Sequence, residues 1–232
     1  MQKHYDIYGD GIGCVEYINH MGTDLSVVNA ARVSYAGNTD VWDEEKDPKL
    51  IKYLLANGHT SPFEHTSMTF RMVVPLFVRS QWHRHRTWAY NEISRRYTSD
   101  KLQFFVPQTL RTQAKGNKQC TNDSGIGGIE ENILKLTIER HHETCENLYN
   151  DLLREGVGRE IARGVMPCNL YTEYYGTVSL HNLFKFLDQR CHPHAQHEIR
   201  MAADAILKIC ADLFPVSTEA WAEYSKAFLI EC

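Results

Sequence analysis

Apolar positions recur along this chain in blocks whose spacing changes at glycine and proline. Met68, Phe70 and Met72 alternate with Ser67, Thr69 and Arg71, the period-two pattern of a half-buried strand over 66–74. Just before it, Leu50, Ile51, Leu54 and Leu55 share one helical face behind the Asp47-Pro48 start signal, and Gly58 marks the stop. Pro75 closes the strand and opens a helix over 75–86 with a basic last turn, as the helix dipole favours. Residues 129–154 read as a long amphipathic helix ended by Gly156, followed by a short helix over 159–165 and a tyrosine-rich strand over 169–178. Ser179 caps a helix over 180–190, Pro193 introduces another over 194–213, and Ser217 caps the last, over 218–228. Near the N-terminus, 5–18 predicts short Gly-broken strands, with Asp24 capping a helix through Ala31. The polar, glycine-rich stretch 112–128 predicts a mobile surface loop. More helix than sheet, without βαβ alternation or internal repeats, predicts an α+β fold, with residues 1–232 as one domain.

Composition narrows this picture. A chain of 232 residues, 43% of them apolar, is long enough to bury its own core. Seven scattered cysteines, an odd number with no CxxC pair, argue against a disulfide framework and a structural zinc site. Apolar stretches such as 72–78 fall far short of the roughly 20 residues that span a bilayer. The first residues carry no apolar signal core, so the expectation is a cytoplasmic protein without a membrane partner.

The net charge of −4 is unevenly placed. Between Arg79 and Arg96 five arginines face one acid, Glu92, giving this segment +4 and the remainder −8. An isolated cationic patch in an acidic chain suits a small anionic ligand better than a long polyanion, which the rest of the surface repels. The segment 81–99 sets His83, Arg84, His85, Arg86, Arg95 and Arg96 among aromatics and hydrogen-bonding Gln81, Asn91, Glu92 and Ser94. Planar arginine forks suit phosphate and carbonyl oxygens. A solvated cationic face at a helix end fits the same composition. His83 and His85, or His192, His194 and His197, invite a metal reading, but neither group has a carboxylate at motif spacing and no metal is expected. Two other classes stay open: a non-catalytic nucleotide or single-strand binding module that stacks bases on WHRHRTWAY, and a His-metal hydrolase.

Arg84-His85-Arg86, seven residues and Ser94, with Asn91-Glu92 and Arg96 in place, resembles the RHR-x7-S signature of the flavin-dependent thymidylate synthases. GHTSPFEH at 58–65, REIARGVMPCNLYT at 159–172 and SLHNLFKFLDQRCHPHAQHEIR at 179–200 are similar to further segments of that family, in order from AARVSYA at 30–36 onward. Ala89 replaces a serine the family often has inside the signature. His181 and Lys185 stand where it commonly uses Arg and Asn or His beside the flavin. The resemblance implies conversion of dUMP to dTMP, with methylenetetrahydrofolate as one-carbon donor and NADPH-reduced FAD as hydride donor. It implies a central, mostly antiparallel sheet flanked by long helices, and a homotetramer with shared active sites. Carried over by position, Gln81, Arg84, Glu92, Ser94, Arg96, Arg163 and Arg190 hold dUMP, with Arg163 on the phosphate and Arg190 catalytic at the pyrimidine. Ser61, Arg84, His85, Arg86, Glu92, Ser179, His181 and Lys185 map to the FAD site, and His59 lies near the folate. Ser94 has cations rather than a His-acid pair as sequence neighbours, so positioning is its expected role rather than nucleophilic attack.

Overall fold

The computed structural model describes residues 2–116 and 118–225. Its strands are β1 (His4–Asp6), β2 (Cys14–Met21), β3 (Ser67–Pro75), β4 (Ala89–Glu92), β5 (Arg111–Gln113), β6 (Thr121–Gly125) and β7 (Tyr171–Ser179). Its helices are α1 (Asp24–Arg32), α2 (Lys46–Ala56), α3 (Leu76–Trp82), α4 (Gly128–Arg154), α5 (Arg159–Ala162), α6 (Leu180–Arg190), α7 (His197–Leu213) and α8 (Pro215–Tyr224). Among the described residues one sheet runs β1-β2-β3-β7-β4, and β5 pairs with β6 alone. β1 and β2 are antiparallel, with His4 opposite Glu16. The side chains of Thr69 and Thr177 meet at 2.9 Å and Leu76 N–H donates to the Leu170 carbonyl at 3.0 Å, so β3 and β7 also run in opposite senses. The fold is α+β with an antiparallel sheet, as the sequence pattern and the resemblance led us to expect.

Packing divides the chain into two compact units. The first takes in Met1–Met72, His85–Tyr90 and Tyr175–Cys232; the second takes in Val73–Arg84 and Asn91–Tyr174. β3, β4 and β7 contribute residues to both.

In the first unit, β3 alternates as expected, with Met68, Phe70 and Met72 buried. α6 starts where predicted: Ser179 Oγ accepts the Asn182 N–H at 3.5 Å. Its buried Phe184 stacks on Trp221 of α8 at 5.2 Å. Three start signals belong elsewhere. α1 is capped by Thr23, whose N–H donates to Ser26 Oγ at 3.0 Å. Asp24 instead accepts from Val216 N, Ser217 N and Ser217 Oγ at 2.9, 3.0 and 2.5 Å, capping α8 from 192 residues away. Ser217 is therefore a donor inside α8 rather than its cap, and Phe214 occupies the N-cap position. Asp47 likewise lies inside the first turn of α2, fully buried, where Arg32 at 2.5 Å and Asp43 N–H at 2.9 Å satisfy its carboxylate. α7 begins at His197 rather than 194, because 192–195 form a turn closed by Ala195 N–H on the His192 carbonyl. The expected end of the last helix, 226–228, lies outside the described residues.

In the second unit, α3 stops at Trp82 instead of reaching 86. His83 N–H closes its last turn on Arg79 and Arg84 N–H tightens onto Gln81, releasing the chain before four consecutive potential cations stack on one helix. The stretch 112–128, expected as a loop, holds the last two residues of β5 and all of β6, which pair antiparallel. Polar side chains make the cross-strand bonds that apolar alternation would have announced: Arg111 Nε donates to Thr121 Oγ1 and Asn122 Nδ2 to Thr112 Oγ1, each at 3.0 Å. Glu131 anchors this hairpin to α4, accepting from Leu110 N at 3.1 Å and Gly127 N at 2.8 Å beside Lys135 at 2.9 Å. α4 ends as predicted, with Gly156 at φ +85° and the paired bonds of Gly156 to Leu153 and Val157 to Leu152. Among the described residues no helix is long and apolar enough to cross a membrane.

Candidate active site

Each unit carries a cleft lined by residues the sequence singled out. In the first, α2 ends at Gly58 with φ +68°, and Gly58 N–H to Leu55 plus His59 N–H to Leu54 complete the two closing bonds. That motif fixes the backbone of His59, and buried Pro62 and Phe63 hold the one-turn helix carrying Ser61. His59 and Ser61 thereby line one cleft of about 620 Å³ with Arg32, Ser34, Tyr35 and Tyr53. Tyr53 meets the His59 ring edge-on at 5.9 Å.

The same unit contains His85 and Arg190. Arg190 Nε donates to His85 Nε2 at 2.9 Å. The His85 ring also meets Phe186 edge-on at 4.8 Å, and its carbonyl accepts from Tyr90 Oη at 3.0 Å. Burial, with the Arg190 charge second, lowers the pKa of His85 from 6.5 to about 4. Burial also lowers that of Arg190. His181 and Lys185 lie four residues apart on α6, and burial and then Lys185 push the His181 pKa down while Glu64, 3.8 Å away, opposes them. Ser179 Oγ accepts from both Asn182 nitrogens, which leaves its own O–H proton to donate. Arg86 is exposed. This set offers hydroxyl, imidazole and cationic donors, the chemistry that the pyrophosphate and ring carbonyls of a flavin dinucleotide require.

In the second unit a cleft of about 530 Å³ is lined by Arg79, Glu92, Ser94, Arg95, Arg163, Cys168, Tyr171 and Thr172, among others. Ser94 and Arg163, 69 positions apart, thus share one concavity of a single chain. Glu92 is tightly held: Arg79 Nε lies 2.9 Å from both its oxygens, Arg79 Nη2 reaches Oε2 at 2.7 Å, and Thr172 Oγ1 donates to Oε1 at 2.6 Å. Ser94 opens a turn, its Oγ accepting from Arg96 N at 3.3 Å and its carbonyl from Tyr97 and Thr98. Arg95 is committed to backbone, donating to the carbonyls of Asp100, Lys101 and Tyr171. The cationic patch is therefore heterogeneous: Arg79 and Arg95 are structural, while Arg84 and Arg96 are exposed. Gln81 sits in the last turn of α3. Among the described residues no three His, Cys, Asp or Glu side chains gather as a metal site, and His83 packs on Tyr174 at 5.4 Å.

Sequence reasoning assigned no individual role to Arg79, Thr172, Tyr90 or Phe186. For the first two the role was hidden because Glu92 is reached from 13 and 80 residues away.

A family model described as thymidylate synthase complementing protein matches residues 16–216. The chain belongs to the flavin-dependent thymidylate synthase family. Curated flavin-dependent thymidylate synthases include that of Thermus thermophilus, 43% identical over 94% of this chain and 77% of its own length. That of Thermotoga neapolitana is 42% identical over 92% of both chains. A crystal structure of the UMP/dUMP methylase PolB from Streptomyces cacaoi, bound with 5-Br dUMP, superposes with a TM-score of 0.84 at 37% identity, covering 91% of this chain and 95% of that one. As a flavin-dependent thymidylate synthase, the chain carries its RHR signature on the turn after α3 and Ser94 just beyond β4.

Proposed function

We propose that this chain converts dUMP to dTMP, with methylenetetrahydrofolate as one-carbon donor, FAD as cofactor and NADPH as reductant. The observation that carries the reading is the cleft in which Ser94, Arg163 and the Arg79-fixed Glu92 stand together within a chain of this family. When bound, FAD supplies the hydride that NADPH provides.

Gln81, Arg84, Glu92, Ser94, Arg96 and Arg163 bind dUMP. Arg163 on the phosphate offers a charge-assisted fork, and Glu92 presents an acceptor already fixed in orientation. Ser94 positions the nucleotide and does not attack it: its Oγ accepts a backbone N–H of its own turn, and among the described residues no imidazole is bonded to it as base. Arg190 is the catalytic group. Standing at the last turn of a helix whose apolar face is buried, it presents a fixed cation to negative charge that grows on the uracil as carbon 5 becomes nucleophilic. Ser61, His85, Arg86, Ser179, His181 and Lys185, with Arg84 and Glu92, hold the flavin, and His59 serves the folate. His181 and Lys185, in place of more usual partners beside the flavin, alter how firmly the flavin is held.

We further read the protein as one cytoplasmic domain that assembles as a homotetramer with shared sites. The single family match spanning 16–216 supports one domain. The deciding experiment reduces the flavin anaerobically, then adds dUMP and methylenetetrahydrofolate and measures flavin oxidation together with dTMP. Oxidation coupled to dTMP is expected. Tight oligonucleotide binding or stoichiometric zinc without dTMP would replace this reading with the binding module or the hydrolase.

A further inference from the structure

We propose that His85 is a positioning residue for Arg190, its Nε2 lone pair receiving the arginine Nε–H and fixing the plane in which the guanidinium meets the pyrimidine. This rests on the assignment of Arg190 to the uracil.

The donor and acceptor roles follow from valence. A guanidinium has no acceptor, so at 2.9 Å the lone pair belongs to His85 Nε2. The ring is then neutral, with its proton on Nδ1. Burial and the neighbouring arginine charge favour that state, since a protonated ring here would face a cation in a poorly solvated place.

The ring itself is held. Phe186 and Arg190 are four residues apart on α6, so they project from one face and the imidazole lies across both. Phe186 is fully buried and packs on Trp88 at 5.2 Å, and Tyr90 Oη fixes the backbone of His85 at its carbonyl. An imidazole braced at ring and backbone removes the rotation about the last side-chain bonds of the arginine. Recognition of a flat ring by a flat cation needs that restraint, because orientation frozen beforehand costs nothing at the moment of reaction.

The test exploits geometry: glutamine places an acceptor near the position of Nε2, whereas asparagine places one near Nδ1. His85→Gln, His85→Asn and Arg190→Ala, alone and combined, are prepared as flavin-loaded protein, with flavin content measured by absorbance. dUMP affinity is measured by calorimetry, and the His85 ring is observed by 15N NMR of histidine-labelled wild type. Loss of the bond that orients the guanidinium predicts roughly tenfold slower flavin oxidation at saturating dUMP and folate donor in flavin-loaded His85→Asn, with His85→Gln within about threefold of wild type and dUMP affinity changed less than the rate. In the Arg190→Ala background, His85→Asn should add no further loss. The ring should show Nδ1-protonated, neutral signals near neutral pH. Equal impairment by Gln and Asn, additive losses in the double variant, or an Nε2-protonated ring would overturn the proposal. If Arg190→Ala leaves dUMP binding and flavin oxidation unchanged, the assignment of Arg190 to uracil fails, and the NMR result alone then decides whether His85 orients it.

Discussion

Arg79 grips Glu92 from one side, with Nε 2.9 Å from both carboxylate oxygens and Nη2 2.7 Å from one of them. The pair stands on elements that are adjacent in the fold but thirteen residues apart, and it holds the carboxylate at the cleft shared by Ser94 and Arg163. Arg79→Met should cost about 1–3 kcal/mol in stability, the usual penalty for stripping one partner from a half-buried charged hydrogen bond. It should also weaken dUMP binding. Arg79→Lys keeps the charge without the fork and should recover only part of both. Thermal unfolding and calorimetry check this; unchanged dUMP affinity in a folded Arg79→Met protein would show that Glu92 needs no such support.

The periodic elements were legible because burial writes its period into the sequence: β3 in twos, α6 by its apolar face, the ends of α2 and α4 in Gly58 and Gly156. What escaped was satisfied by distant polar groups. Asp24 reads as a local cap, yet its partners on α8 lie 192 and 193 positions away. The hairpin of β5 and β6 escaped because its cross-strand bonds are polar. The signature at 84–94 pointed to the candidate site, but the five arginines of the surrounding segment 79–96 looked equivalent until Arg79 and Arg95 proved to be holding Glu92 and backbone carbonyls. No local pattern distinguishes a structural arginine from a ligand-binding one.

Arg163 is exposed in the cleft beside Ser94. Arg163→Ala should lose roughly 1.5–3 kcal/mol of dUMP binding, the scale of a charge-assisted contact to phosphate, while flavin content stays near wild type. Calorimetry with dUMP and with deoxyuridine separates the phosphate contribution; equal losses for both ligands would remove Arg163 from the phosphate. If sites are shared, mixed oligomers of Arg163→Ala and Arg190→Ala subunits should regain activity.

The cysteines are not expected to carry the reaction. Burial raises the thiols of Cys191 and Cys210 to about 12, far from a reactive thiolate at neutral pH. A folded variant with all seven cysteines replaced should still form dTMP from reduced flavin, folate donor and dUMP. Loss of dTMP traced to one folded single-cysteine variant would be incompatible with this.

Stability should decline on mild acidification. Burial is the leading cause that lowers the pKa values of His83, His85, His142 and His181. The unfolded chain therefore takes up protons as pH falls below about 6.5, before the folded chain does, and His85 resists until about 4. Stability is greatest above that window and is lost within it. Melting at about pH 8 and about pH 5.5 should show a lower temperature at the acid point, with a smaller difference in His85→Gln. Asp24 and Asp204, raised by burial, act in the opposite direction nearer the carboxylate range. An equal or higher melting temperature at the acid point would contradict the histidine account.

Gly176 is packed without room for a side chain: a Cβ there would lie 2.7 Å from Met72 Cε and 3.0 Å from Trp88 Cε3. Gly176→Ala should destabilise the fold by about 1–3 kcal/mol, as overpacking usually does. Because Trp88 packs on Phe186, which braces His85, flavin oxidation should slow as well. A melting curve and single-turnover kinetics measure both; wild-type values would mean that Met72 and Trp88 yield freely.

The reach from Asp24 to α8 sets an order on synthesis. When Asp24 leaves the ribosome, its partners at 216 and 217 have yet to be translated, as has the rest of the helix that carries them. Residues 91–174 emerge as one stretch and can collapse upon themselves, while Asp24 waits for 216 and 217 before its carboxylate finds a donor. A newborn chain cut off before position 216 would carry a buried-to-be aspartate with nothing to bind, and that part of the molecule cannot complete its folding until 216 and 217 have been made.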